Sequence, residues 1–305
     1  MERYVGRLLS TYLVCGFLGA GKTTYILERL KDGSARTAVL VNEFSALGID
    51  GQIIRTRGGM EVVEMAGGCI CCSQKEDLVK QVALIAREIR PDVLLIEPSG
   101  VAETSELLKA LSDEALAETI RCEATITIVD GSTFLDYSGS DSFGTFFLDQ
   151  VEHADLVLIN KIDLMAPDEL GAVEARIKEI NSRAIVVRTD HCRYDSVAIR
   201  KGDKGPIGPH RHVPGFDSLS LELQKPVPDD ALERFLSLVN EGVFGEVLRV
   251  KGFVRREDGT FVEVQVTPAQ ASVKPAQWQG RPGLVFVGLG LDRLSLERYF
   301  APPAS

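Results

Sequence analysis

An α/β fold with a doubly wound, mostly parallel sheet, followed by a small C-terminal α+β domain, is what the sequence predicts. Three observations carry this expectation. Over residues 11–190, short apolar runs alternate with segments whose apolar residues recur at helical spacing. The first apolar run opens into a glycine-rich turn and then a helical pattern. Residues 196–215 break the alternation with Gly202, Gly205, Pro206, Gly208, Pro209, Pro214 and Gly215, and the residues beyond 215 alternate as in an antiparallel sheet. The expected organisation is a nucleotide-type domain at 1–195, a linker at 196–215 and a second domain at 216–305.

Taken in order, residues 12–15 form the first strand and 22–30 the first helix. Residues 36–43 read as a buried strand ending in polar residues, and 44–59 as loop, with Gly48, Gly51, Gly58 and Gly59. A short strand is expected at 61–65. Apolar residues at 78, 79, 82, 85, 86 and 89 make 75–89 a helix, which Pro91 ends. Residues 92–96 then form a central parallel strand. Further on come a helix at 105–116, a strand at 124–129, a helix at 146–153, a strand at 156–159, a helix at 167–180 and a strand at 184–187. In the second domain, 218–223 alternates as a strand and 229–239 as a helix. A hairpin is expected from 247–254 and 260–266 around Glu257, Asp258 and Gly259. A strand at 284–287, a helix at 293–299 and an unstructured tail at 301–305 complete the chain.

The glycine-rich turn has the pattern G-x-x-x-x-G-K-[ST], from Gly16 through Gly21 and Lys22 to Thr23. It sits between strand and helix, the context in which that pattern is a phosphate-binding loop, so the fold class narrows to a P-loop NTPase. Gly16, Gly19 and Gly21 let the backbone wrap a polyphosphate with its N–H groups turned inward. Lys22 is suited to the β- and γ-phosphates and the Thr23 hydroxyl to Mg²⁺. The first 20 residues, with early arginines and a short apolar run, superficially suggest a secretory signal, but a signal gives no reason for Gly-Lys-Thr-Thr directly after it.

Asn160, Lys161 and Asp163 follow the strand at 156–159 in the arrangement N-K-x-D. An aspartate there can accept from both the N1–H and the exocyclic amine of guanine, a pair adenine does not offer, so GTP is expected over ATP. The Lys161 stem can stack on the base while Asn160 braces the loop. Arg188 and Thr189 are expected to close the other side of the base. Glu97 ends the strand at 92–96, where it can hold the Mg²⁺ shell, orient the attacking water, or merely cap the next helix. The Gly100 N–H can face the γ-phosphate. Glu43, ending the neighbouring strand, can serve Mg²⁺, a second metal, or a hydrogen bond to a loop.

Cys69, Cys71 and Cys72 follow Gly67 and Gly68, and three sulfurs in four residues can converge only through a glycine-led turn. Three thiolates leave a fourth position open, whereas structural zinc sites usually close with four protein ligands. Such a site suits Zn²⁺, Co²⁺ or Cu⁺. A redox pair or buried small hydrophobes remain alternatives. Cys15 and Cys122 read as core, Cys192 as undecided, and His153 as structural. His210 and His212 read as a solvated linker pair, with metal handling the alternative.

The net charge of −10 rests on 44 acidic and 34 basic residues, without a basic block, which argues against nucleic acid or an anionic membrane as partner. No apolar run approaches a membrane span. The clustered cysteines point to a reducing cytoplasm and to metal or redox chemistry.

Gly16 through Thr24 with Ala20 among them, Val41-Asn42-Glu43, the Gly-Gly-Cys-Ile-Cys-Cys run at 67–72, Glu97-Pro98-Ser99-Gly100 and Asn160–Asp163 together resemble the CobW-type GTPases in order and spacing. These are relatives of the urease and hydrogenase nickel-insertion GTPases. The resemblance is looser beyond residue 216, at 247–253 and 284–288. It implies a metallochaperone or metalloenzyme activator. Lys22, Glu43 and Glu97 would act in GTP hydrolysis. The nucleotide would lie against Gly16, Gly19, Ala20, Gly21, Thr23, Thr24, Gly100, Asn160, Lys161 and Asp163. Cys69, Cys71, Cys72 and Glu43 would take a cargo of Zn²⁺ or Co²⁺, or Ni²⁺, and Thr23 would bind Mg²⁺. The implied partner is a client metalloenzyme or cofactor-biosynthesis protein, and a homodimer is one assembly the resemblance allows. The alternative is a GTP-dependent remodeller of one metalloenzyme or corrinoid enzyme in which the cysteines are structural. Ser45 and Ala46 stand where the family tends to have Gly-Glu, and the second domain lacks a long histidine tract.

Overall fold

The computed structural model describes residues 8–31, 35–41, 62–64, 74–98, 103–139, 144–194, 217–267 and 270–300. The expected linker and tail, and Glu43, Cys69, Cys71, Cys72, Gly100, His210 and His212, lie outside these residues. The described residues fall into two compact units, one up to residue 194 and the other from 217 onward.

In the first unit, the strands are β1 (Leu9–Gly16), β2 (Thr37–Val41), β3 (Val62–Glu64), β4 (Val93–Glu97), β5 (Ile120–Asp130), β6 (Leu156–Asn160) and β7 (Ile185–Arg188). Among the described residues they form one sheet in the order β3-β2-β4-β1-β5-β6-β7, with every pair parallel. The sheet winds outward in both directions from β1, so the carboxyl ends of β1, β4 and β5 mark the place where such folds bind ligands.

Both faces of the sheet are buried, which is why its strands read as continuous apolar runs. One face carries α1 (Lys22–Leu30), whose Tyr25 and Ile26 pack with Val14, Val39, Leu95, Ile126 and Leu158. The other carries α2 (Gln74–Leu84) and α3 (Thr104–Leu111), through Leu78, Val82, Leu107 and Leu111 against Leu13, Leu40, Leu94 and Ile96. The helices α4 (Phe134–Ser138), α5 (Gly144–Glu152) and α6 (Pro167–Ile180) complete the described part of this unit. Pro167 opens α6 at the position where a missing N–H is harmless, and the Glu169 carboxylate accepts from the Ala166 N–H at 3.0 Å.

The structure corrects several expectations. The helix expected at 75–89 widens into a π-helical turn at Ile85–Ile89 and stops at Arg90, left-handed at φ 52° before Pro91. That expected at 105–116 ends at Leu111, and Glu114–Leu116 is a separate 3-10 turn whose Ala115 N–H donates to the Asp113 carboxylate. Strand β5 starts earlier than its apolar stretch, because Ile120, Arg121 and Cys122 already pair with Leu9, Ser10 and Thr11 of β1, while the polar Arg121 and Glu123 hide this start in the sequence. The five-residue α4 is too short to leave a periodic signal.

The second unit is a sheet of β8 (Asp217–Glu222), β9 (Glu246–Arg255), β10 (Phe261–Thr267), β11 (Gln270–Ala276) and β12 (Gly283–Leu289). Its order is β11-β10-β9-β12-β8, antiparallel throughout. Leu232, Phe235 and Val239 of α7 (Asp229–Asn240) and Leu296 of α8 (Arg293–Phe300) pack with Val250, Val254, Val264, Leu284 and Phe286. The expected α+β character and the hairpin are present. Strand β11 is not among the expected elements, because its polar residues and Pro275 mask it; proline is tolerated on this edge strand. Among the described residues, no helix is long and apolar enough to cross a membrane.

Candidate functional site

Strand β1 ends on Gly16, at φ 142°, where a Cβ would lie 2.3 Å from the Ile128 carbonyl oxygen of β5. Only glycine fits there, and the chain turns sharply away from the sheet. Gly21, at φ 119°, is the last residue before α1, and a Cβ on it would sit 2.5 Å from Asn160 Nδ2 and 3.1 Å from Cys192 Sγ. Between them Ala20 is buried, its N–H donating to the Phe17 carbonyl at 3.2 Å. The loop is therefore a cradle that two further segments of chain press from outside.

Lys22 is buried, and its Nζ donates to Gly16 O at 2.9 Å and Phe17 O at 3.3 Å, which curls the ammonium over its own loop. Thr23 donates its hydroxyl to Glu97 Oε1 at 3.2 Å, with Glu97 buried at the end of β4. Thr24 is half-buried beside it in the first turn of α1.

Beyond β6, Asn160 spans the space between two loops. Its Nδ2 donates to Ala20 O at 2.9 Å, and its Oδ1 accepts from the Cys192 N–H at 2.9 Å and the Thr189 hydroxyl at 3.3 Å. Lys161 is left-handed at φ 63° and ion-pairs with Asp130 at the end of β5. Asp163 lies exposed in the 3-10 turn Ile162–Leu164. The phosphate loop and the N-K-x-D residues, distant in sequence, are thus joined at one edge of the sheet.

Arg188 and Thr189, expected to close the other side of the base, both have protein partners in the structure. Arg188 forks onto Glu174 of α6 at 2.6 and 2.8 Å and holds that carboxyl below its usual range, while Thr189 is buried against Asn160. The segment that meets the phosphate loop is the turn 190–193, in which the Arg193 N–H donates to Asp190 O at 3.0 Å. Its central residues, His191 and Cys192, have φ of 50° and 58°, the pattern of a type I′ turn normally filled by Asn and Gly. Without those residues, nothing in the sequence announces it. Tyr194 then stacks on Tyr25 of α1, centroids 6.5 Å apart.

Burial pushes the thiols of Cys15 and Cys192 up to about 12, so both stay neutral at ordinary pH and behave as small packing groups. This agrees with a core role for Cys15 and resolves Cys192 as a packing residue. Cys122 is half-buried against the same core as Cys15. His153 sits with Nδ1 2.9 Å from Asp149 O, next to the carboxylate that accepts from the Thr104 and Ser105 N–H groups at the start of α3. That is a structural position. Among the described residues, no group of His, Cys, Asp and Glu is arranged to hold a metal ion.

Residues 10–188, more than half of the chain, match the family described as "CobW/HypB/UreG, nucleotide-binding domain". The chain belongs to that family. Residues 216–302 match a second description, "Cobalamin synthesis protein cobW C-terminal domain", so both units have counterparts among CobW-type GTPases. The chain is 32% identical over 301 residues to the "Zinc-regulated GTPase metalloprotein activator 1" of Dictyostelium discoideum, covering 80% of this chain and 62% of that protein. It therefore spans less than two thirds of that relative's length. A protein of the same description from Schizosaccharomyces pombe is 31% identical, over 93% of this chain and 83% of its own. The "Zinc chaperone CobW" of Sinorhizobium sp is 28% identical over 81% of each chain. Among solved structures, Zn(II)-bound YjiA GTPase from E. coli shares 21% identity at a TM-score of 0.49, over 98% of this chain and 100% of that one.

In this CobW-type chain the Asn160 carboxamide is the tie between the two loops. Asn160→Ala removes three hydrogen bonds and leaves buried backbone partners unmatched, so a loss of roughly 2–4 kcal/mol is expected. Denaturant unfolding without nucleotide measures it; a loss below about 0.5 kcal/mol contradicts the strut.

Proposed function

We propose that this chain is a GTP-hydrolysing metallochaperone that takes up a transition metal, Zn²⁺ or Co²⁺ before Ni²⁺, at Cys69, Cys71 and Cys72, and couples its delivery to GTP hydrolysis. The observation that carries the nucleotide half is the 2.9 Å bond from Asn160 to the Ala20 carbonyl, which sets an N-K-x-D segment beside a phosphate loop. Family membership supports the same reading. Zinc is favoured because the named relatives include zinc-regulated activators and zinc chaperones.

In the mechanism we infer, N–H groups of the loop 16–23 hold the phosphates and Lys22 moves from its own carbonyls to their oxygens. Glu97 orients the attacking water or, with the Thr23 hydroxyl, would hold the Mg²⁺ shell, and Asp163 accepts from the base. The hydroxyl and carboxylate of Thr23 and Glu97, 3.2 Å apart, are the hard-oxygen set that suits Mg²⁺, which when bound would neutralise charge on the β- and γ-oxygens. Glu43 follows β2, and the cysteine segment follows β3. Both strands run parallel to β1, so their carboxyl ends lie at the same edge of the sheet as the end of β1, where the phosphate loop begins. A γ-phosphate that orders these segments would bring the thiolates together, and hydrolysis would release them. The inferred compartment is a reducing cytoplasm and the inferred partner a client metalloenzyme, with a homodimer as one assembly.

Linkage requires the metal affinity to differ between nucleotide states. Isothermal titration of Zn²⁺ and Co²⁺ into the protein is expected to show affinity at least about fivefold tighter with a GTP analogue than with GDP. Equal affinities would sink the coupling. Loss of metal binding in Cys71→Ser, with loss of client activation, separates a carrier from a remodeller, which would keep activating.

A further inference from the structure

Asp130 belongs to none of the sequence motifs that point to nucleotide binding. It ends β5, next to β1 in the sheet, and its register partner across β6 is Asn160. Its Oδ1 is fixed by the Ser132 N–H at 3.1 Å and the Ser132 hydroxyl at 2.7 Å. Its Oδ2 takes the Lys161 ammonium in an ion pair whose two side chains are only 19% and 15% exposed. The Gly131 N–H donates to Asn160 O at 3.0 Å, locking the backbone of the two strand ends together.

Geometry sets what this pair can do. Lys161 is left-handed at φ 63°, and its ammonium meets the carboxylate that ends β5. With the ammonium held by Asp130, the charge is already neutralised and is not offered to phosphates. What remains available is the methylene stem, tethered at its far end by Asp130. A flexible lysine would otherwise lose several rotamers on binding; one already tethered loses fewer.

We propose that Asp130 is a positioning residue for nucleotide binding, holding the Lys161 stem as one wall of the purine site. This rests on the guanine-nucleotide reading of the site and deepens it. Asp163 selects the base edge, whereas the Asp130–Lys161 pair supplies a face that any purine can lie against. Asp130 therefore governs affinity without governing base choice.

The test compares wild type, Asp130→Asn, Lys161→Met and the double variant, each checked by thermal melting. Read for each are GTP and ITP affinity, kcat and KM for GTP, and inhibition by inorganic triphosphate, which uses the phosphate loop without a base. Asp130→Asn is expected to weaken GTP and ITP by the same factor, about tenfold, mostly in KM. It should leave triphosphate inhibition unchanged and have no further effect in the Lys161→Met background. Unchanged GTP affinity, an equal loss of triphosphate inhibition (a merely structural strand end), or independent effects in the double variant would each overturn the proposal. Wild type that does not prefer guanine nucleotides overturns the functional reading and this proposal together, whereas a guanine-specific wild type beside an unaffected Asp130→Asn overturns this proposal alone.

Discussion

Alanine in place of Lys22 is expected to lower GTP turnover by roughly 10²–10³ while the fold survives. Where the ammonium sits decides the size of the effect. Lys22 is 6% exposed, in the first turn of α1, and its contacts with Gly16 O and Phe17 O place it over the loop that would receive the phosphates. Phosphoryl transfer leaves little covalent work to a protein, so rate comes from positioning and from charge aimed at the transferring group. An ammonium in a site largely closed to water is worth far more there than in bulk solvent. Its loss should fall on kcat as well as on binding, since the charge it meets grows toward the transition state. The two carbonyl oxygens it leaves belong to a loop still held by Asn160 and by the Ala20-to-Phe17 hydrogen bond, so melting should change little. Single-turnover phosphate release with saturating GTP, alongside a thermal melt, checks both halves. A rate within about threefold of wild type would show that Lys22 does not meet the transferring phosphate.

How much of this was legible in the sequence depends on whether a feature is local. The strand, glycine turn and helix at 9–30 are written in adjacent residues, and so are the continuous apolar runs of β4 and β6. Glu97 could be picked out because it ends such a run. The role of Asp130 could not, because it depends on the register that sets Asp130 opposite Asn160 and on the left-handed turn at Lys161. The turn at 190–193 was hidden for a related reason. His191 and Cys192 hold positive φ without glycine, which costs of order 1 kcal/mol each and persists only because Asn160 and α1 fix the segment from both sides. The partner of Arg188 was hidden in the same way: Arg188 ends a strand, and its guanidinium finds a carboxylate on the neighbouring helix, a partner fixed by packing.

Asp163→Asn is expected to weaken GTP by roughly 10²–10⁴ and to transfer preference to XTP. Asp163 is exposed in a short turn whose position is set from both sides: Lys161 is anchored on Asp130, and the Ile162 N–H reaches Thr189 O at 3.4 Å. A carboxylate there has two acceptors and no donor, which matches the N1–H and C2 amine of guanine as a pair. Each charge-assisted bond of this kind contributes about 1.5–3 kcal/mol. Asparagine keeps the shape and one acceptor but turns an NH₂ toward the guanine amine, so one bond becomes a clash of donors. Xanthine carries a carbonyl at C2 and accepts from that same NH₂, so the lost pair is restored with the polarity reversed. Because Asp163 is exposed, the exchange should leave the fold undisturbed, and triphosphate inhibition through Lys22 and the loop should persist. Competition of GTP, XTP, ITP and ATP against a fluorescent GDP analogue reads the preference directly. Retained GTP affinity in the variant would place the base elsewhere and remove the reason for reading Asn160, Lys161 and Asp163 as a guanine site.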